Sequence, residues 1–68
     1  MRYAVVIERD ASGVSAYVPD LPGCVAAGRT VEDVRDLIRG AIHMHVAGLR
    51  QDGLAVPEAS SQVEYVEA

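Results

Sequence analysis

The chain has 68 residues, half of them apolar, with a net charge of −4 and a pI near 4.9. That length allows one domain, residues 1–68, and a chain so short buries only about 60% of its unfolded surface. The acidity argues against non-specific binding to nucleic acid or direct DNA binding, and suits a basic protein partner.

Cys24 is the only cysteine, so no internal disulfide exists, and a lone thiol fits a reducing cytoplasm. No segment has the length of a membrane span, and the apolar run from Tyr3 to Ile7 is too short for the core of a signal peptide. A small core without disulfide or metal leaves self-association as the expected source of extra stability.

Residues 3–8 are rich in β-branched side chains and read as a first strand, with Tyr3, Val5 and Ile7 on one face. Arg9 to Gly13 reads as a hairpin loop, with Gly13 in the left-handed region. Val14 to Val18 reads as the second strand, with Val14, Ala16 and Val18 on one face. Pro19 to Gly23 is a tight connection, because neither Pro19 nor Pro22 can donate to a ladder. Gly23 and Gly28 are placed where the chain reverses or passes close to a neighbour. Cys24 to Ala27 reads as a short third strand, small enough in side chain for a helix to approach.

Thr30 is the expected helix N-cap, with Glu32 and Asp33 at the positive end of the helix dipole. The helix is expected from Val31 to about Gln51, stopped by Gly53. Val31, Val34, Ile38, Ala41, Ile42, His45 and Leu49 form its core stripe. Leu37, Met44 and Gly48 widen that stripe beyond what one sheet face needs and are candidates for subunit contact. Gly40 and Gly48 weaken the helix by about 1 kcal/mol each relative to alanine, which fits either close approach of another backbone or simple tolerance. Leu54 to Ser61 reads as a loop. Gln62 to Glu67 reads as a last short strand, returning to its own sheet or pairing with a neighbouring subunit through an open edge. Val63 and Val66 join the interface candidates.

No arrangement points to catalysis, a cofactor or a metal. His43 and His45 are two apart on a helix and point away from each other. Cys24 has no base beside it in sequence and reads as a buried structural thiol. Asp10, Asp20 and Asp33 each have an ordinary task in a turn or cap.

One block is diagnostic beyond its local geometry. Tyr17-Val18-Pro19-Asp20-Leu21-Pro22-Gly23-Cys24, followed by Gly28-Arg29-Thr30-Val31-Glu32-Asp33, resembles the signature of the small HicB-like antitoxin domain. Tyr3 to Glu8 matches that family's first strand, and Gly48 to Gly53 the end of its helix, so the resemblance spans nearly the whole chain. It implies an α+β fold of order β-β-β-α-β, similar to part of a ribonuclease H core. It also implies the role of antitoxin in a type II toxin–antitoxin system, binding a small basic HicA-type ribonuclease toxin that cleaves mRNA. Longer members carry a DNA-binding segment after this domain, and the resemblance does not extend to one here.

Glu8, Asp20 and Glu64 are the acidic residues expected to face toxin cations; Tyr17 and Tyr65 read equally as core residues or as aromatic contacts at that toxin-binding surface. A homo-oligomer, dimer or tetramer, is expected. Two other readings stand beside the antitoxin: an orphan self-associating module without a toxin, and, third, a metal-dependent hydrolase using Asp10 or Asp20.

Overall fold

A computed structural model describes all residues from Met1 to Ala68. Three antiparallel strands, β1 (Val6–Asp10), β2 (Gly13–Tyr17) and β3 (Val25–Gly28), are followed by one helix, α1 (Val31–Gln51). The sheet order is β1-β2-β3, so each strand pairs with its neighbour in sequence and both outer strands leave an edge open. This is the α+β arrangement the sequence implies.

The first hairpin is tighter than the sequence suggests. Asp10 pairs with Gly13, so β1 extends through Arg9 and Asp10, and only Ala11 and Ser12 turn. Asp10 holds that turn by accepting from the Ser12 amide at 2.8 Å and the Ser12 hydroxyl at 2.6 Å. Gly13 has φ +141°, outside the left-handed helical region but still positive, and a Cβ there would lie 2.8 Å from the Gly28 carbonyl oxygen. Only glycine fits such a site.

Register assigns the two faces. Ala16 lies opposite Ala26 and Val14 opposite Gly28, all facing the helix; Tyr17 opposite Val25 and Ser15 opposite Ala27 face away. The helix-facing positions of β2 and β3 are small, and α1 comes close in consequence. A Cβ on Gly28 would sit 3.1 Å from a Val34 methyl carbon. Gly28 therefore serves packing and not a positive φ, unlike Gly23 at +86°.

The core consists of Val14, Ala16, Val18, Leu21, Cys24, Val34, Ile38 and Val46, with Tyr3, Val5, Ala26, Val31, Ala41, Ile42 and Val56 packed around it. Two of these were not expected. Leu21 lies in the Pro19–Gly23 connection yet is wholly buried, and Val46, rather than its neighbour His45, takes the fully buried place on the helix.

The helix ends behave as their residues dictate. The Thr30 hydroxyl accepts from the Asp33 amide at 3.0 Å. At the far end the Gly53 amide donates to Arg50 and the Leu54 amide to Leu49, with Gly53 at φ +70°. That reciprocal pair satisfies carbonyls that the last turn would leave open. On the polar face Asp36 and Arg39, three residues apart, form an ion pair at 3.5 Å; its partners are exposed and it contributes little.

The expected last strand, Gln62 to Glu67, is not formed. Beyond Leu54 no backbone group has a backbone partner, and residues 57–68 are exposed. A strand exists only by pairing, and although Ser61 and Val63 come beside Arg2 and Ala4, no backbone hydrogen bond joins this segment to the sheet.

Truncating Leu21 to alanine empties the centre of the core at a cost of about 2–5 kcal/mol. That rivals the whole stability of a domain this size, about 3–10 kcal/mol. Urea titration followed by circular dichroism should find L21A largely unfolded in buffer. Thr30→Ala should cost about 1 kcal/mol and leave the fold intact.

Candidate functional site

The connection between β2 and β3 is a built turn. The Val18 amide donates to the Cys24 carbonyl at 3.1 Å, the Leu21 amide to Val18 at 3.1 Å, and the Cys24 amide to Leu21 at 3.0 Å. Pro19 and Pro22 sit at the exposed positions, where a missing N–H costs nothing. Burial of Leu21 pins the turn to the core and holds Asp20 beside it at the end of the sheet.

Asp20 is the most heavily engaged side chain in the molecule. One carboxylate oxygen accepts from the backbone amides of Ser60 at 3.0 Å and Ser61 at 2.9 Å. The other accepts from the hydroxyls of Ser60 at 3.2 Å and Ser61 at 2.8 Å. These bonds, those of Ser61 foremost, hold the Asp20 carboxyl below the usual aspartate range. A second tether lies nearby, where the Tyr3 hydroxyl donates to the Pro57 carbonyl at 2.6 Å. Together they fasten the stretch after the helix to the end of the sheet, and release it again after Ser61.

The residues expected to face a partner do not form one cluster. Glu8 and Tyr17 share the uncovered face of the sheet, where Glu8 lies opposite Ser15 and Tyr17 opposite Val6. Tyr17 is 43% exposed there, beside Val25 at 63%. Glu64 and Tyr65 lie past the clamp on the exposed segment, and Tyr65 is 95% exposed. Asp20 turns its carboxylate to Ser60 and Ser61. Its direct task in this structure is therefore to position residues 57–61. The signal for that role was the Ser60-Ser61 pair, which sequence alone could not bring to Asp20 across some forty residues.

The second set, proposed as subunit contacts, is more coherent. Leu37 and Met44 lie one above the other along one edge of α1, exposed at 53% and 78%. Gly48 continues that line and is half-buried; Val63 and Val66 are exposed on the segment past the clamp. Between β3 and this helix edge runs an apolar groove of about 470 Å³, lined by Val25, Ala26, Leu37, Gly40, Ala41 and Met44. It continues to His45 and Cys24.

Cys24 is buried, and burial pushes its thiol up, which disfavours the thiolate a nucleophile needs. His43 is exposed and His45 half-buried. Asp10 is turned to Ser12, whose hydroxyl and amide bonds hold its carboxyl below the usual range. The structure contains no group of three or more histidine, cysteine or carboxylate side chains arranged to hold a metal ion. No helix is long and apolar enough to cross a membrane.

Comparison with known proteins gives the class. The family model described as the HicB-like antitoxin of bacterial toxin–antitoxin systems matches residues 3–68. A chain solved in a HicA3 and HicB3 toxin–antitoxin complex superposes with a TM-score of 0.74 at 28% identity, over 88% of this chain and 70% of that one. This chain belongs to the HicB-like antitoxin family.

Among particular relatives, a UPF0150 protein of Helicobacter pylori is 42% identical over 50 residues, covering 74% of this chain and 69% of its own. An uncharacterised 14.9 kDa protein from the rep–hol intergenic region of Haemophilus phage HP1 is 32% identical over 97% of this chain. This chain spans 50% of the phage protein's length.

Because the folded-state carboxyl of Asp20 is depressed, its contribution to holding the tail is complete above the unfolded aspartate value of about 3.9 and is lost as pH falls through the lower folded value. The Ser60 and Ser61 amide resonances should hold steady from neutral pH down to about pH 4 and move only below it. Asp20→Asn should release them at neutral pH, since the amide replaces one accepting oxygen with a donor.

Proposed function

We propose that residues 1–68 act as one HicB-like unit, the antitoxin of a type II toxin–antitoxin pair, which binds and neutralises a small basic HicA-like ribonuclease in the cytoplasm. The observation that carries this reading is the family match over residues 3–68, joined to the structural likeness to a chain solved in a HicA3 and HicB3 complex. A net charge of −4 supports it, because an RNA-cleaving toxin must present cations to phosphate. The role is inhibition by occupation, non-enzymatic, with acidic side chains taking the place of the RNA backbone.

Glu8 on the open sheet face and Glu64 past the clamp are the charges we assign to that contact, with Tyr17 and Tyr65 as its aromatic anchors. Asp20 contributes by setting where Glu64 and Tyr65 leave the domain. A homo-oligomer, dimer or tetramer, accompanies this role and uses Leu37, Met44, Gly48, Val63 and Val66. The second reading, an orphan self-associating module, is favoured by the exposed apolar line of Leu37 and Met44.

Co-expression with the small reading frame beside the gene, followed by purification and an RNA-cleavage assay, separates the two readings. The antitoxin gives a stable complex in which cleavage is suppressed. Combined Glu8→Arg and Glu64→Arg should weaken that complex at least about tenfold, with a reduced dependence on salt. A protein that self-associates but neither binds nor protects is the orphan module.

A further inference from the structure

We propose that a polar cavity beside the β1–β2 turn, lined by Asp10, Ser12 and Ser15, takes in an arginine or lysine side chain of the ribonuclease partner. At the other end of the same sheet face, the row Val6, Tyr17 and Val25 takes an apolar patch of that partner. This rests on the antitoxin reading above and deepens it, by naming where the partner's cation sits and which way round the partner lies.

Register builds the surface. On the face that α1 leaves bare, Val6, Tyr17 and Val25 stand in one row across the three strands. Glu8, Ser15 and Ala27 form the next row, and Asp10 with Gly13 the last. Four residues of extended strand separate Val6 from Asp10, about 13 Å. One end of the face is therefore apolar and the other acidic. The one cation in the strands, Arg9, lies opposite Val14 on the helix side, so no positive charge from the strands offsets Glu8 and Asp10.

The acidic end is hollow because its residues are small. Gly13, Ser15, Ala27 and Gly28 leave a cavity of about 120 Å³, with Asp10 and Ser12 in its wall. Pockets for small molecules run to about 300–1,000 Å³, so this one has room for a side-chain head group and little more. Its side chains offer a carboxylate and two hydroxyls. A calcium ion would need about six or more oxygen ligands, and one carboxylate is too few. A guanidinium or ammonium group, which only donates, matches the acceptors present.

Asp10 carries more than the turn requires. Both Ser12 bonds fall on Oδ1, at 2.8 and 2.6 Å. An asparagine oxygen would accept the same two, so the negative charge is surplus to the turn. Those bonds also keep the carboxyl ionised at neutral pH. Neither Glu8 nor Asp10 has an ion-pair partner within the chain. Two unpaired acids on the same bare face as an apolar row match a basic surface that otherwise meets phosphate.

The test uses the full chain and the ribonuclease encoded beside its gene, with binding followed by calorimetry and RNA cleavage measured in parallel. Asp10→Asn should raise the dissociation constant at least about tenfold and flatten its dependence on salt. The turn should persist, read from unchanged circular dichroism and a steady Ser12 amide resonance. Ser15→Val fills the cavity, keeps every charge and suits a strand, and should weaken binding by a similar factor. Val25→Ser should weaken binding with the salt dependence unchanged. Asp36→Asn, the same loss of charge on the helix, should change affinity less than about twofold. If D10N loosens the turn, S15V decides alone. Undiminished binding by S15V overturns the proposal and leaves the antitoxin reading standing. A D10N effect no larger than that of D36N assigns it to net charge and overturns the cavity equally. Wild-type protein that neither binds nor suppresses cleavage removes the antitoxin reading, and this proposal with it.

Discussion

A single helix can cover only one face of a three-stranded sheet, and the rest of the molecule follows from that limit. The covered face is closed by choosing small residues. Ala16, Ala26 and Gly28 let α1 settle until Val34 nearly touches the strand backbone. Close approach makes eight buried side chains suffice as a core. It also places the helix over β2 and β3, so β1 is covered less well and Ile7 stays 36% exposed although it lies opposite Ala16 on the helix side. The opposite face, with Tyr17 and Val25, has no cover at all.

The Leu21 turn is where that economy becomes a surface. A connection of this length would ordinarily lie wholly outside. Here it dips inward to place Leu21 in the core, and the same dip fixes the Asp20 carboxylate on the outside. A structural need and the proposed contact surface are therefore coupled through adjacent residues. Changes that loosen the turn would disturb the placement of Glu64 and Tyr65 without touching either.

Much of this was legible in the sequence, for identifiable reasons. Thr30 with Asp33 and Gly53 after the last turn mark the helix ends through local hydrogen bonding, and both fell where expected. The small residues of β3 announced close packing. What could not be read needed contacts across the chain. Leu21 looked like turn filler because prolines flank it, and only tertiary burial reveals its role. The sequence reading put His45 in the stripe where Val46 is buried, because both lie near it and the sheet's position decides between them. Asp20 read as a turn residue that could face a partner's cations, and only Ser60 and Ser61, brought in by the fold, show what its carboxylate holds. Gln62 to Glu67 has the pattern of a strand, but a pattern states a capacity to pair and does not supply the partner.

The meander order has a kinetic side. Because β1, β2 and β3 pair only with their sequence neighbours, the sheet forms by closing short loops, and the helix is local by nature. The side-chain hydrogen bonds with the widest separations, 54 residues from Tyr3 to Pro57 and 40 and 41 from Asp20 to Ser60 and Ser61, belong to the segment after the helix. They join residues at the margin of the core, Tyr3 among them, and none of the fully buried ones, so the sheet and helix can assemble first and the segment docks afterwards. Such a chain folds quickly, and its slowest intramolecular step is the docking of the segment after the helix.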